Sequence, residues 1–203
     1  MKIKKISEKD NVLKISLKDT NVAAVNAIRR TIMNEVPTMA IDDVEILKNN
    51  SALFDEVLAH RLGLIPFKSD LKSYTPIDEC TCEGATCAKC SVDFTLEGSK
   101  ADYIYSEDIK TKDPKIKPTE KNFPVVKLLS GQKIEIEGKV TLNRGKVHSK
   151  WSPGLVFYQE NEKDREFIMT IESFGQIPPG KMFEKAIEIL QKKNTAFAEL
   201  IKK

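Results

Sequence analysis

The chain has 203 residues, enough for one large or two small domains with a buried core. Its 33 Lys and Arg residues nearly balance 30 Asp and Glu residues, and a net charge of +3 argues against a protein that binds nucleic acid through a dense basic face. No apolar run reaches the length of a secretory signal or a membrane span, so we expect a cytoplasmic protein that does not enter a membrane.

The first predicted elements are a strand and a helix. Residues 12–18 alternate apolar and polar side chains, which is the period of a half-buried strand. Thr20 or Asn21 can cap a helix that runs to about Val36, where Pro37 ends it.

A second strand and a second helix follow. Apolar residues alternate over residues 39–47 with a phase break at Asp42 and Asp43, which fits a β-bulge. Ser51 can cap the next helix, and Gly63 closes it.

The middle of the chain differs in composition from its two ends. Residues 67–133 contain several prolines, all the cysteines, a strand-like segment at 92–98 and a lysine-rich run that we expect to be a solvated connection. Strand-like alternation returns at 132–142 and 166–173, and a long amphipathic helix is predicted over 178–203. Strands and helices mix without regular βαβ alternation, so the predicted class is α+β, with the middle inserted between ends that share one layer.

Two adjacent arginines lie on the first predicted helix. At about 100° per residue, Arg29 falls inside the apolar stripe and Arg30 lies on its flank together with Asn26. A buried guanidinium is costly unless carboxylates or carbonyls meet it. The pair is therefore either structural or part of an interface. In the structural case an ion pair meets the guanidinium inside the fold, or the aliphatic stem packs while the guanidinium reaches solvent. In the other case the arginines anchor another protein. The carboxylates available for an internal ion pair are those of Glu35, Asp42 and Asp43.

The last predicted helix has an unusually wide apolar side. Its apolar residues sweep about 200° of the helical wheel, whereas a helix on one sheet needs a stripe of about 100°. The excess width predicts a second covering surface. That surface is either a partner protein or another layer of the same chain.

Four cysteines lie close together in the sequence. Cys80, Cys82, Cys87 and Cys90 have CxCx4CxxC spacing, and Gly84 permits a tight turn between the two pairs. Four thiolates this close can bind one tetrahedral ion, so we expect one structural zinc ion. An iron–sulfur cluster is the less favoured alternative, and disulfides are disfavoured in a reducing compartment.

The sequence offers little to an enzyme. His60 and His148 are the only histidines, and neither has a nucleophile at motif spacing. GxGxxG, HExxH and GxSxG motifs do not occur. A closed four-cysteine shell also leaves no open position for metal catalysis, so we predict no catalytic residue.

Several motifs occur in an order that resembles one known family. They are NAIRRTIMNEVPTMAID, DEVLAHRLGLIPF, the cysteine pairs, GKVHSKW, and IESFGQIPP leading to KAIEIL. Their order resembles the D subunit of archaeal RNA polymerase. It is also similar to the third-largest subunit of eukaryotic RNA polymerase II and to the N-terminal domain of the bacterial alpha subunit. The resemblance covers nearly the whole chain.

The resemblance implies a non-catalytic assembly scaffold of DNA-dependent RNA polymerase. A discontinuous dimerisation domain would comprise residues 1–38 and 160–203, and a mainly β insert domain with the cysteine loop would comprise residues 39–159. The dimerisation domain would form a heterodimer with the small subunit L through the last helix. The residues that would make this contact are Phe183, Ile187, Leu190, Phe197 and Ile201.

The same resemblance implies further partners. The heterodimer would recruit the second-largest polymerase subunit and meet small subunits such as N and P, with DNA reached only through the complex. The candidates for contact with the large subunit are Asn26, Arg29, Arg30, His60 and Arg61. In this interpretation a rigid helix holds Arg29 and Arg30 so that they meet polar groups of the large partner.

The sequence departs from the family pattern in two places. Residues 152–167 contain no cysteine, so we predict that the iron–sulfur domain carried by some archaeal relatives is absent. Four residues separate the two cysteine pairs, one more than the eukaryotic pattern has.

A zinc-containing nucleic-acid-binding module is the alternative function. The lysine-rich run at 109–118 and the cysteine loop suggest it. The near-neutral charge and the lack of aromatic residues among the lysines argue against it.

Overall fold

Strands make up most of the regular structure of this chain. The computed structural model describes residues 1–161 and 166–202. In these residues the strands are β1 (Lys2–Lys9), β2 (Val12–Lys18), β3 (Pro37–Asn49), β4 (Ser91–Gly98), β5 (Tyr103–Tyr105), β6 (Lys110–Thr111), β7 (Pro124–Lys127), β8 (Ile134–Arg144), β9 (Gly154–Asn161) and β10 (Glu166–Ser173). The α-helices are α1 (Val22–Glu35), α2 (Asp55–Gly63) and α3 (Pro179–Ile201), and short 3₁₀ helices span Ile77–Glu79, Ser106–Asp108 and Ser149–Trp151. The predicted α+β class is confirmed.

Two parts of the sequence-based predictions lie outside the described residues. Residues 162–165 belong to the segment predicted to lack an iron–sulfur domain, and Lys203 ends the predicted terminal helix. Among the residues that are described, no helix combines the length and the apolar character needed to cross a membrane.

The chain divides into two units, and the strand pairing explains where. One unit comprises Met1–Pro37 and Arg144–Lys203, and the other comprises Thr38–Asn143. The sequence placed the second boundary between residues 159 and 160, which would cut β9. All eight residues of β9 pair with β10, so the whole strand belongs to the first unit and the boundary precedes it.

The first unit is built on a four-stranded antiparallel sheet in the order β1-β2-β10-β9. Its centre joins two distant parts of the chain, with Lys18 opposite Glu166 and Val12 opposite Glu172. One face of the sheet is covered by helices, since α1 contacts β9 and α3, and α3 contacts β2 and β10. The buried apolar residues of β2 and β10 are Leu13, Ile15, Leu17, Phe167, Met169 and Ile171.

The sequence did not predict β1, because none of its residues is buried. β1 forms a hairpin with β2 through a turn at Asp10 and Asn11, whose φ angles are 50° and 62°. Two successive left-handed residues are the geometry of a type I′ turn, which matches the twist of paired strands. Asp and Asn reach this conformation more easily than other side chains do, so turn chemistry rather than burial specifies β1.

α1 begins and ends as the sequence predicts. The Oδ1 of Asn21 accepts a hydrogen bond from the Ala24 amide at 2.9 Å, which caps the helix. Val36 precedes Pro37 and has an extended backbone with ψ of 117°, so the helix ends at Glu35. The buried residues of the helix are Val25, Ile28, Thr31 and Ile32.

The second unit has a core of its own. It contains a four-stranded sheet in the order β3-β8-β4-β6 and a two-stranded sheet of β5 and β7. Phe67 is fully buried and forms isolated bridges to Met39 and to Pro118. It therefore ties the segment after α2 both to β3 and to the lysine-rich run. Other fully buried side chains of this core are Leu58, Leu62, Phe94, Leu96, Ile116 and Ile134.

The predicted cap of the second helix was wrong. α2 begins at Asp55 with Phe54, not Ser51, at the N-cap position. β3 extends to Asn49, whose Nδ2 donates to the Leu53 carbonyl at 2.8 Å and to Oδ1 of Asp55 at 2.7 Å. The Ser51 hydroxyl donates to Oδ1 of Asn49 at 2.7 Å, so it stabilises the turn that precedes the helix.

The lysine-rich run is anchored rather than solvated throughout. Ile109 and Ile116 are buried in the core of the second unit. The Thr111 hydroxyl donates to the Ile116 carbonyl at 2.6 Å, and Lys112 pairs with Asp93 at 2.7 Å. The lysines of the run are exposed, as a solvated connection requires, whereas its two isoleucines fix it to the core.

Removal of the Asn21 cap is expected to destabilise the first unit. Asn21→Ala leaves the Ala24 amide without its acceptor, which costs about 1 kcal/mol of unfolding free energy, measured by chemical denaturation. Asn21→Asp keeps an acceptor at this position and should lose much less. An equal loss in both variants would contradict the capping role.

Candidate functional site

The cysteine loop lies in the second unit, between the 3₁₀ helix Ile77–Glu79 and β4. The loop folds through successive turns. In each turn the carbonyl of a cysteine accepts from the amide three residues later, and these cysteines are Cys80, Cys82 and Cys87. Gly84 has a φ of 90°, which a residue with a side chain rarely adopts. The turn predicted between the two cysteine pairs therefore depends on this glycine.

The four sulfur atoms of the loop converge on one point. All four Sγ atoms lie within 4.8 Å of one another. The Sγ of Cys80 lies 3.6 Å from that of Cys87, and the Sγ of Cys82 lies 3.6 Å from that of Cys90. Metal–sulfur bonds of about 2.3 Å in a tetrahedron would separate the sulfurs by about 3.8 Å. The cluster can therefore hold one tetrahedral metal ion, and its four cysteines are free of disulfides.

The thiols of this cluster differ in acidity. A hydrogen bond from Cys80 is the main cause that lowers the pKa of Cys82 to about 7. Burial raises the pKa of Cys90 to about 12. A metal ion binds thiolates, so its binding must displace protons, above all from Cys90. Metal affinity at this site should therefore rise with pH.

The surroundings of the cluster fit a structural rather than a reactive role. Four cysteine ligands complete a tetrahedral shell. Neighbouring polar groups are engaged with each other, since Lys139 donates to the Thr86 hydroxyl at 2.7 Å and the Tyr74 hydroxyl donates to Asp113 at 2.6 Å. The arrangement can fix a polar loop in place through a metal ion.

Arg29 and Arg30 have different surroundings on α1. Arg29 is half-buried, its Nε donates to Oδ1 of Asn26 at 3.1 Å, and a terminal nitrogen lies 3.8 Å from Sδ of Met33. Arg30 is exposed. Neither arginine forms an ion pair within the described part of the chain. Arg29 thus has polar contacts within its own helix, and the internal ion pair considered from the sequence does not form among the described residues.

Glu35 pairs with lysines instead. Its carboxylate accepts from Nζ of Lys193 at 2.9 Å and lies 3.7 Å from Nζ of Lys146. Partial burial opposes ionisation of Glu35, but the hydrogen bond from Lys193 and the charge of Lys146 outweigh it and lower the pKa of this carboxyl. Glu35 therefore links the end of α1 to α3, beside a groove that Arg30 also lines.

His60 and Arg61 lie on α2 in the second unit, whereas the other candidates for large-subunit contact lie on α1 in the first. Both side chains are exposed, and the Arg61 guanidinium donates to the Pro124 carbonyl at 2.6 Å. Apolar side chains that sequence reasoning missed lie exposed on the same segment. They are Phe54, Val57 and Leu64. Their spacing of three and seven residues is helical, which is the signal that could have revealed them.

Exposure changes along α3. The predicted contact residues of its first half are half-buried, whereas every residue from 191 to 201 is exposed. Phe197 and Ile201 expose 65% and 69% of their surface, and Leu200, which belongs to the apolar arc but not to the predicted contacts, exposes 69%. The half-buried residues are Phe183, Ile187 and Leu190. The wide apolar arc is thus left uncovered by the described residues along its second half.

Comparison with known proteins decides the family. A family described as the RNA polymerase Rpb3/RpoA insert domain matches residues 35–175. The chain is 42% identical over 154 residues to DNA-directed RNA polymerase subunit Rpo3 of Pyrococcus furiosus, which covers 76% of this chain and 57% of that protein. It is 40% identical over 174 residues to Rpo3 of Methanocaldococcus jannaschii, which covers 86% of this chain and 82% of that protein. The chain belongs to the Rpo3 family.

Rpo3 proteins differ in length from this chain. Rpo3 of Methanosphaera stadtmanae is 40% identical over 169 residues, which covers 79% of this chain and 62% of that protein. The chain therefore spans less than two thirds of the length of several Rpo3 relatives. The family predicted from the motifs is confirmed, because Rpo3 is the archaeal subunit that the motif order indicated.

Proposed function

We propose that this chain is a non-catalytic assembly subunit of a DNA-dependent RNA polymerase that works in the cytoplasm. One observation carries the proposal: a chain of the Rpo3 family leaves the apolar end of α3 uncovered. Such a role requires contact surfaces rather than reacting groups. We propose two contact surfaces and one structural metal centre for this chain.

The first surface would bind the small subunit L and form a heterodimer. Burial of an exposed Leu, Ile or Phe side chain contributes about 1.5–3 kcal/mol, and three such side chains lie between residues 197 and 201. Spacings of three, four or seven residues keep all the candidate contacts on one side of the helix. These contacts are Phe183, Ile187, Leu190, Phe197 and Ile201.

An ion pair directs this end of α3. Lys193 meets Glu35 of α1 at 2.9 Å, just before the fully exposed apolar residues begin. A partly exposed pair contributes at most about 1 kcal/mol. Its main effect would therefore be orientation, because it fixes the direction in which Phe197 and Ile201 are presented.

The second surface would recruit the second-largest subunit, and small subunits such as N and P would join the same complex. Arg30 is the strongest candidate on α1, because its guanidinium is exposed and unpaired among the described residues. Arg29 donates to Asn26 and would position that amide rather than make the main contact. On α2, His60 and Arg61 would contact the same subunit.

The metal held by the cysteine loop would be one zinc ion. A closed shell of four thiolates is typical of structural zinc, whereas iron–sulfur clusters usually use CxxCxxC spacing with a more distant fourth cysteine. The ion would fix residues 80–90, which contain few apolar side chains to form a core.

The structure gives no support to the alternative of a nucleic-acid-binding module. Lys112 is paired with Asp93, and the isoleucines of the lysine-rich run are buried in the core of the second unit, so the run is not a free basic segment. We therefore propose that the chain meets DNA only indirectly, through the assembled polymerase.

Phe197→Glu is expected to weaken the heterodimer with subunit L. The substitution places a carboxylate in the proposed apolar contact, and we expect an affinity loss of about a hundredfold, or about 2.7 kcal/mol, by isothermal titration of purified L. The melting temperature of the free chain should not change, because Phe197 is 65% exposed.

Phe54→Glu is the matched control for Phe197→Glu. Phe54 is 79% exposed and lies at the N-cap of α2 in the second unit, which contains none of the proposed L contacts. It should bind L normally. Normal binding by Phe197→Glu would exclude α3 as the contact.

Arg30→Ala is expected to weaken recruitment of the second-largest subunit by the heterodimer about tenfold, because an exposed charge at an interface contributes about 1.4 kcal/mol. Binding is measured by titration of the purified large subunit at two salt concentrations. Arg29→Ala is the matched control, and it should lower the stability of the free chain while the affinity falls less. A larger affinity loss in Arg29→Ala would reverse the assigned roles.

Elemental analysis of the purified chain should find one zinc per molecule, and Cys87→Ser should lose most of it. Acidification should also release the metal, because protons compete for the thiolates and the unbound Cys90 has a raised pKa. Ser91→Ala, next to the cluster, should retain the metal. Two or more iron atoms per chain would contradict the zinc assignment.

A further inference from the structure

The sheet of the first unit has two edge strands, and they differ in how well they are protected against pairing with a strand of another chain. β1 carries several lysines and shifts register between Lys5 and Ser7. Lysines and bulges both deter pairing with another strand. β9 has neither device, since its residues pair with β10 without a register shift and the segment Gly154–Gln159 carries no charge. Within the described residues β9 pairs with β10 only, and α1 contacts it on the helix-covered face of the sheet.

β9 presents apolar side chains on both faces of the sheet. Leu155 lies opposite the exposed Glu172, on the face away from the helices, and Leu155 and Phe157 expose 49% and 50% of their surface. On the other face Tyr158 packs against Phe167 with ring centroids 5.9 Å apart. An added strand would therefore find main-chain partners and apolar neighbours along the same edge.

The far end of β9 is acidic. Glu160 is exposed and forms no ion pair with any residue in the described ranges. Directly opposed side chains of paired strands lie about 5 Å apart, so an added strand would place one side chain beside this carboxylate. Lys or Arg is favoured at that position. A second copy of β9 contains neither, so self-pairing along this edge leaves Glu160 unmatched.

We propose that β9 is a site of strand addition for another polymerase subunit. An extended segment of that subunit would become the fifth strand of the sheet, with apolar side chains beside Leu155 and Phe157 and a basic side chain beside Glu160. The inference rests on the proposed assembly role, because subunits already held together supply a short segment at high effective concentration. Main-chain bonds would give affinity, and the side chains would set the register.

Amide hydrogen exchange tests the proposal. It is measured on the isolated chain and on polymerase reconstituted from recombinant subunits of the same organism. We expect alternate amides of β9 to exchange about a hundredfold more slowly in the polymerase than in the isolated chain. Phe157→Lys should remove this protection, whereas the protection of β2 and β10 should remain and show that the sheet is folded.

Ile6→Lys on β1 is the matched control, since Ile6 is 51% exposed and also lies on an edge strand. It should keep the protection of β9. If the polymerase assembles and β9 exchanges as fast as in the free chain, strand addition is wrong while the assembly role stands. Failure of the chain to enter the polymerase at all overturns both. Sedimentation that shows a dimer of the free chain, lost in Phe157→Lys, identifies a second copy as the occupant and overturns the proposal.

Discussion

The pairing of β2 with β10 is the constraint on which the rest of the structure depends. It places Lys18 opposite Glu166 in an unshifted antiparallel register, and the Ser16 hydroxyl donates to the Glu166 carboxylate across the pair. A slip of one residue would turn the apolar side chains of β2 away from α1 and α3. Everything between the two strands must leave and return near one place. In the second unit, β3 and β8, its first and last long strands, are neighbours in one sheet.

On the two helices over that sheet, some polar side chains have partners within the unit, whereas apolar side chains at the end of α3 are exposed. Arg29 has a hydrogen-bond partner on its own helix, and Glu35 pairs with Lys193 of α3. At the end of α3, by contrast, Phe197, Leu200 and Ile201 extend past the last ion pair of the helix. In the proposed assembly the favourable free energy would therefore come mainly from burial of apolar surface, and charged groups would supply direction and selectivity.

The sequence was informative where burial produces a pattern. β2, α1, β10 and α3 follow from alternation, a cap or a helical stripe, and the sulfur cluster follows from cysteine spacing. β1 and β9 could not be recognised in the same way, because edge strands are specified by pairing and turns more than by burial. The role of Ser51 and the local partners of Arg29 depend on side-chain geometry that no spacing rule contains. The candidate surfaces were predictable in outline, whereas Phe54, Val57 and Leu64 were not selected.

The order of the strands along the chain also bears on biosynthesis. The strands of the second unit, β3 to β8, lie in one continuous segment from Pro37 to Arg144, so its sheets need no residue translated later. β1 and β2 are made first, yet their sheet waits for β9 and β10, which are translated last. During that interval a hairpin of β1 and β2 would have an open edge and unburied isoleucines and leucines, the combination that makes a partly folded chain prone to aggregate.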